Sequence, residues 1–440
     1  MRPMRAAADS LWMRFILRIR SSTIVRQSVV LFLASMVLNV GGFLFHAIAS
    51  RRLGVDGYGT LFAIINASVI LTLPSAVLAP VVVRFAAEFR ALRDAAHVRR
   101  LAIDVAGGFA VLGGLYVVVA FVALRPLAGF LHVSAWTIPL MAAIAAVVLV
   151  GGAVRAVVAG TQDFDGLALS SVAEGVMKVV ALLGLILAGA VAVSGIAGYL
   201  IGSFCGMAVV ALRLVNTYRG EPAQSVRYDW RRIAFSAAGA AATTVATTLM
   251  ASGDSVLVKH YFSLADAGIY GAAAQGGKIL LYFVGFVATI LLPKATDRHV
   301  RGERTRGVMF ATLGSVLVLG GCALLAVRLY GLLLLHALFG HAFDAASALL
   351  VWYAAAMIFF AVTQLLATYG IATHRLAFAI PLLACTLATL GAIALYHPSL
   401  AAVVRVFLTG NAATSVVLAL TLGIQGLSTS RNPGVAAPNP

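Results

Sequence analysis

LAFAIPLLACTLATLGAIALY, residues 376 to 396, contains no charged side chain, and stretches like it recur along nearly the whole chain. An α-helix rises about 1.5 Å per residue, so about 20 apolar residues cross the hydrocarbon core of a bilayer. In that medium every backbone N–H and C=O must be satisfied by protein, and a helix does this within one segment. About twelve stretches qualify, at approximately 27 to 49, 59 to 83, 101 to 123, 137 to 158, 168 to 189, 193 to 212, 234 to 258, 268 to 292, 308 to 329, 345 to 368, 376 to 396 and 400 to 424. The pattern predicts an all-α polytopic membrane protein.

Composition agrees: 62% of the 440 residues are hydrophobic and 11% charged, against about 25% charged in soluble domains. The net charge of +17 would suggest nucleic acid in a soluble protein. Here its distribution points to the bilayer instead, and no nucleic-acid partner is expected. With the N-terminus inside, the connections assigned to the cytoplasm (1 to 26, 84 to 100, 155 to 167, 213 to 232, 294 to 307, 369 to 375 and the tail) hold 24 Lys and Arg, and the outside ones hold 5. The positive-inside rule then places both termini in the cytoplasm. LWMRFILRIR, residues 11 to 20, reads either as a basic amphipathic segment on that surface or as a charged leader to the first span, and no cleavable signal peptide is expected.

The sequence also repeats itself. Gly57-Tyr58-Gly59, after the first span, lies 212 positions before Ile269-Tyr270-Gly271, after the seventh, and Pro80 is answered by Pro293. Each proline precedes a basic loop. The expected organisation is a basic N-terminal segment (1–26), two six-helix bundles (27–212 and 234–424) joined by a cytoplasmic linker (213–233), and a disordered tail (425–440). Halves with an even number of crossings face the same way, as in transporters that bind substrate between parallel repeats.

Three cations, Lys178, Lys278 and Arg405, fall within the spans, with Glu174 and Asp254 as the deep acids. Charge at that depth calls for a partner or a task. Lys278 lies near the middle of its span, and the repeat offset makes Asn66 its counterpart. Either both line a polar path, or Lys278 pairs with a carboxylate such as Asp254 and Asn66 is interhelical glue. Glu174 and Lys178, one turn apart, can pair on one helix face; they either neutralise each other or exchange an ion during a cycle. Arg405 reads as a path residue or as a side chain snorkelling outward, and Gln275 as a weaker candidate of the Asn66 kind. The cysteines Cys205, Cys322 and Cys385 read as packing residues. No two of the nine histidines have a convincing ligand spacing; His336 and His341 read as lining an outside turn, with no metal site expected. No phosphate-binding GxxxxGK[ST] is present.

An Arg-Leu-Gly turn (Arg52, Leu53, Gly54) followed by Tyr58-Gly59, and Asp254 followed by Gly268-Ile269-Tyr270, resemble the polysaccharide biosynthesis or O-antigen flippases of the multidrug/oligosaccharidyl-lipid/polysaccharide (MOP) exporter superfamily. LLLLHALFGHAFDAASALL, residues 332 to 350, is similar to that family's segment before the tenth span. The resemblance implies two pseudo-symmetric six-helix bundles in a MATE-like fold. It also implies a flippase of the bacterial inner membrane that moves an undecaprenyl-diphosphate-linked sugar or oligosaccharide by alternating access, without an enzymatic step. Such a flippase serves O-antigen, capsule or exopolysaccharide synthesis alongside polysaccharide polymerase and assembly proteins. No cofactor is expected, with H+ or Na+ coupling open. On this view Lys278, Lys178, Asn66, Arg405 and Gln275 face substrate, and Glu174 and Asp254 couple an ion. The rivals are a cation-coupled drug antiporter, which should present acids to its substrate, and a membrane-embedded sugar polymerase or ligase, for which the short loops offer little room.

Overall fold

The structure is a computed structural model that describes residues 23–221, 230–279, 281, 306–372 and 376–431, which are helical or in turns, with no strand among them. The chain runs through α1 (Thr23–Leu71), α2 (Leu73–Ala91), α3 (Ala95–Val122), the short α4 (Leu124–Leu131), α5 (Thr137–Gly160), α6 (Phe164–Leu187), α7 (Val191–Thr217), α8 (Trp230–Tyr261) and α9 (264–279). It continues through α10 (Arg306–Leu338), a 3-10 turn (His341–Ala346), α11 (Ser347–Ala372), a second 3-10 turn (Leu376–Phe378), α12 (Ala379–Leu395) and α13 (Leu400–Arg431). Among the described residues eight helices are long and apolar enough to cross a membrane. Large apolar side chains such as Val111, Val118, Phe121, Leu325 and Leu333 stand exposed on them, as lipid-facing residues must. The protein is a multi-pass membrane protein.

Several expected boundaries shift. The turn expected at 51 to 63 is helical and broken only at Gly54 (φ 69°, ψ −176°), so the first span and most of the second share α1. That backbone geometry is open to glycine and costly for other residues. Pro80 sits within α2, and α13 continues past residue 425 to Arg431. LWMRFILRIR, Pro293 and the basic loop after it lie outside the described residues.

The chain forms two compact units that do not follow the sequence halves. One comprises the chain up to Phe45, Ala79–Leu115 and the stretch from Ala146 through α7; the other comprises His46–Leu78, Tyr116–Ala145 and the chain from α8 onward. In the first, small residues set the helix spacing, as expected where apolar side chains gain nothing from leaving lipid. Ser194, Gly198, Gly202 and Gly206 recur every fourth residue along α7 and are buried. A Cβ on Gly198 would lie 3.0 Å from the Leu182 nitrogen, and one on Gly41 would lie 2.5 Å from the Gly175 oxygen.

The second unit has a larger apolar core in which Leu365, Leu366, Phe378, Leu382 and Leu418 pack together. Its α9 meets the second limb of α1 through the repeated glycines. A Cβ on Gly59 would fall 2.6 Å from the Gly268 nitrogen, and one on Gly268 would fall 2.1 Å from the Val55 oxygen. The two copies of the Gly-Tyr repeat therefore lie on helices that touch.

Candidate functional site

In the first unit Arg155, Glu174 and Lys178 form one network. Asp163 caps α6, accepting from the Gly166 N–H at 3.0 Å. Three turns on, Lys178 Nζ donates to Glu174 Oε1 at 2.7 Å. Arg155 of α5 donates through Nη2 to the other carboxylate oxygen at 2.5 Å and through Nε to Ser170 Oγ at 3.1 Å. Ser170 in turn donates to the Gly206 carbonyl at 2.7 Å. Lys178 Nζ also stands 4.0 Å from the Tyr199 ring centroid, within range of a cation–π attraction. Glu174 and Lys178 are buried, whereas 30% of the Arg155 side chain is exposed.

Arg155 is the residue that the sequence assigned elsewhere. It was counted in the connection 155 to 167, but α5 continues to Gly160, so the guanidinium is held by the helix and reaches Glu174. The expected span 137 to 158 already ran past Arg155 into the apolar AVVAG; the overlap with the connection 155 to 167 is what hid the arginine from the list of deep cations. With it the cluster holds two cations and one carboxylate, a formal excess of one positive charge.

In the second unit Lys278 is buried on α9, and its Nζ donates to Asn66 Oδ1 at 3.2 Å. Asn66 is fixed in turn by its Nδ2, which donates to the Phe62 carbonyl one turn earlier at 2.8 Å. The Phe62 ring centroid lies 5.3 Å from the ammonium. Residues 212 positions apart, matched by the repeat, thus touch. The alternative pair with Asp254 is not formed: Asp254 Oδ2 accepts from Tyr270 Oη at 2.7 Å and from Tyr353 Oη at 2.9 Å. Lys278 makes no ion pair among the described residues; a neutral amide and an aromatic face are its neighbours. Gln275 is half-buried on α9 and Arg405 is exposed on α13, and no hydrogen bond draws either side chain to Lys278.

One turn or more from Asn66, towards the end of the helices that the charge count assigns to the outside, Tyr58 is fully buried. Its hydroxyl meets His46 Nδ1 at 3.2 Å, and Phe339 and Phe343 pack edge-on at 5.7 and 5.6 Å. Arg51 Nη2 donates to the His336 and Ala337 carbonyls at 3.1 and 2.7 Å. Lys259, one residue beyond the expected span 234 to 258, is buried, and its ammonium has no hydrogen-bond partner among the described residues. Burial pulls its pKa down to about 8, with Asp56 opposing the fall.

The fold is similar to that of the lipid II flippase MurJ in an inward closed conformation, at 12% identity over 90% of this chain and 87% of that one, with a TM-score of 0.71. It is also similar to an inward-facing multidrug resistance MATE transporter of the MOP superfamily, at 12% identity, 92% and 96% coverage and a TM-score of 0.64. A MOP superfamily transporter from Pyrococcus furiosus gives 16% identity, 92% and 95% coverage and a TM-score of 0.56. No curated protein matches in sequence. The polysaccharide biosynthesis protein family matches residues 24–297, more than half of the chain, and the chain belongs to that family.

Proposed function

We propose that the protein is a flippase that carries an undecaprenyl-diphosphate-linked sugar or oligosaccharide from the cytoplasmic to the outer leaflet of the bacterial inner membrane, with both termini in the cytoplasm. Family membership and the fold shared with a lipid II flippase support this reading. The observation that carries it is the state of Lys278, a buried cation whose hydrogen-bond partner is the neutral amide of Asn66. A diphosphate is the ligand such a group suits, because a charge in a low-dielectric setting attracts an anion more strongly than it would in water. The excess cation of the Arg155–Glu174–Lys178 network has the same sign.

A cation exporter needs carboxylates free for its substrate. Glu174 is already held by two cations and Asp254 by two tyrosine hydroxyls. One of the similar structures is described as having a binding pocket of reverse polarity that suggests a different function for that transporter, so this fold accommodates either sign. In the proposed cycle Lys278 and Asn66 of the second unit hold the diphosphate region, Arg155 and Lys178 supply cationic groups within the first unit, and Glu174 and Asp254 are the groups able to respond to H+ or Na+.

The test is translocation of lipid-linked saccharide in a strain lacking its own flippase. Lys278→Ala should lower it about 10- to 100-fold, the value of one hydrogen bond to a charged group, and Lys278→Arg should keep most of it. Normal translocation by Lys278→Ala at unchanged expression would overturn the ligand role. Turnover of a glycosidic bond by the purified protein would overturn the transporter reading itself.

A further inference from the structure

α10 ends at Leu338, and Gly340 turns the chain back on itself. Its φ of 88° and ψ of 173° lie in a region that only glycine occupies readily. The Gly340 N–H, shared between the Leu335 and His336 carbonyls at 3.2 Å, ties the reversal to the helix end. The following 3-10 turn therefore lays His341 and Asp344 beside His336. Donor atoms of all three lie within 4.8 Å of one another. The two imidazole centroids are 4.0 Å apart, and His336 Nε2 meets Asp344 Oδ1 at 2.5 Å. His341 and Asp344 are exposed and His336 half-exposed, so an ion can reach them from solvent.

We propose that His336, His341 and Asp344 form a binding site for a divalent late transition metal, with Zn2+ as the representative ion, and that its occupancy braces the aromatic seal around Tyr58. Two imidazoles and a carboxylate are a donor set that Zn2+ takes, leaving a fourth position for water. Ligands at about 2.0–2.2 Å in a tetrahedron stand about 3.3 Å apart. Side-chain rotations close the remaining gap, and the ion replaces the proton that joins His336 to Asp344.

Phe339 and Phe343 lie between the ligands in sequence and pack on Tyr58. A metal clasping 336, 341 and 344 fixes the short segment that carries both rings. Arg51, on the His336 and Ala337 carbonyls, brings a cation close to the ligands and lowers the affinity; the Asp344 carboxylate opposes it.

Binding is measured by calorimetry on detergent-purified protein carrying a tag without histidine, with ZnCl2 as titrant and MgCl2 as control. One equivalent of Zn2+ should bind at pH 7.5, at least tenfold more weakly in His336→Ala and in His341→Ala, and Mg2+ should not compete. Affinity should fall in acid, because protons compete with the ion for its ligands. No saturable binding, or equal binding in both variants, overturns the site. His341→Ala is the safer variant, since that side chain is exposed; an unchanged melting profile without metal shows that it folds. Amide hydrogen exchange reads the brace: saturating Zn2+ should slow exchange across 336–347 and around Tyr58 in the wild type but not in His341→Ala. Unchanged exchange in the wild type overturns the brace. Neither measurement involves transport, so its outcome stands apart from the flippase proposal.

Discussion

Lys178 and Lys278 are both buried lysines in helices built for lipid, and their surroundings differ in kind. Lys178 has a carboxylate one turn away on its own helix, shared with Arg155 from α5. Lys278 has an amide from a helix 212 residues earlier in the chain. In the first unit the charge is largely balanced where it sits, and close packing by Gly202 and Gly206 fixes the geometry: a Cβ on Gly202 would meet Lys178 Cγ at 2.2 Å, and one on Gly206 would meet Arg155 Nη2 at 2.7 Å. In the second unit no carboxylate among the described residues pairs with the ammonium, and the nearby Asp254 is bonded to Tyr270 and Tyr353 instead. A balanced pair stabilises a fold only modestly but is costly to break from one side. An unbalanced cation is a liability to the fold that a passing anion relieves.

This contrast can be broken most forcefully at Glu174. Glu174→Ala leaves Arg155 and Lys178 without their shared partner and should cost about 3–5 kcal/mol, the usual penalty for stranding buried charge. Thermal melting in detergent would show it. A shift of less than a degree would mean that the network is not what holds α5 to α6.

Lys259 sharpens the comparison as a buried lysine with no hydrogen-bond partner among the described residues. Its folded pKa of about 8 lies below the ordinary 10.5, so the unfolded chain binds the extra proton between those two values. Stability should therefore rise as pH climbs from about 8 towards 10.5, and the full penalty applies at neutral pH. Lys259→Met should stabilise by on the order of 2 kcal/mol at pH 7 and flatten the pH dependence of melting. A destabilised variant would show that the ammonium has a partner in the native state.

The smallest effects concern packing. Gly202→Ala, against the Lys178 backbone at 2.7 Å, should cost about 1–3 kcal/mol. Gly42→Ala, with nothing within 4 Å, should be neutral or slightly stabilising, since alanine favours helix by up to about 1 kcal/mol. Equal melting temperatures would refute the close approach of α6 and α7.

Much of this site was legible in the chain. The i, i+4 spacing of Glu174 and Lys178 foretold their ion pair because the helix places both on one face, whereas the repeat offset named Asn66 only as the counterpart of Lys278, and the contact between them comes from the packing of their helices. Arg155 fell within both the expected span 137 to 158 and the connection 155 to 167 and was counted with the connection, because charge counting assigns an arginine near a span end to the loop and cannot see the Glu174 and Ser170 that hold it. The His336–His341–Asp344 group was missed because its spacing has no helical period; a glycine at positive φ closes it.

The sequence alone determined the solvent in which this protein folds, the helical class that the solvent imposes and the repeat. All of these follow from local composition and period. Only the tertiary structure decided which partner each charge takes, and that the compact units cut across the two sequence halves. Those outcomes depend on how helices rotate and approach one another, which small residues such as Gly59, Gly202 and Gly268 permit and no single stretch of sequence encodes.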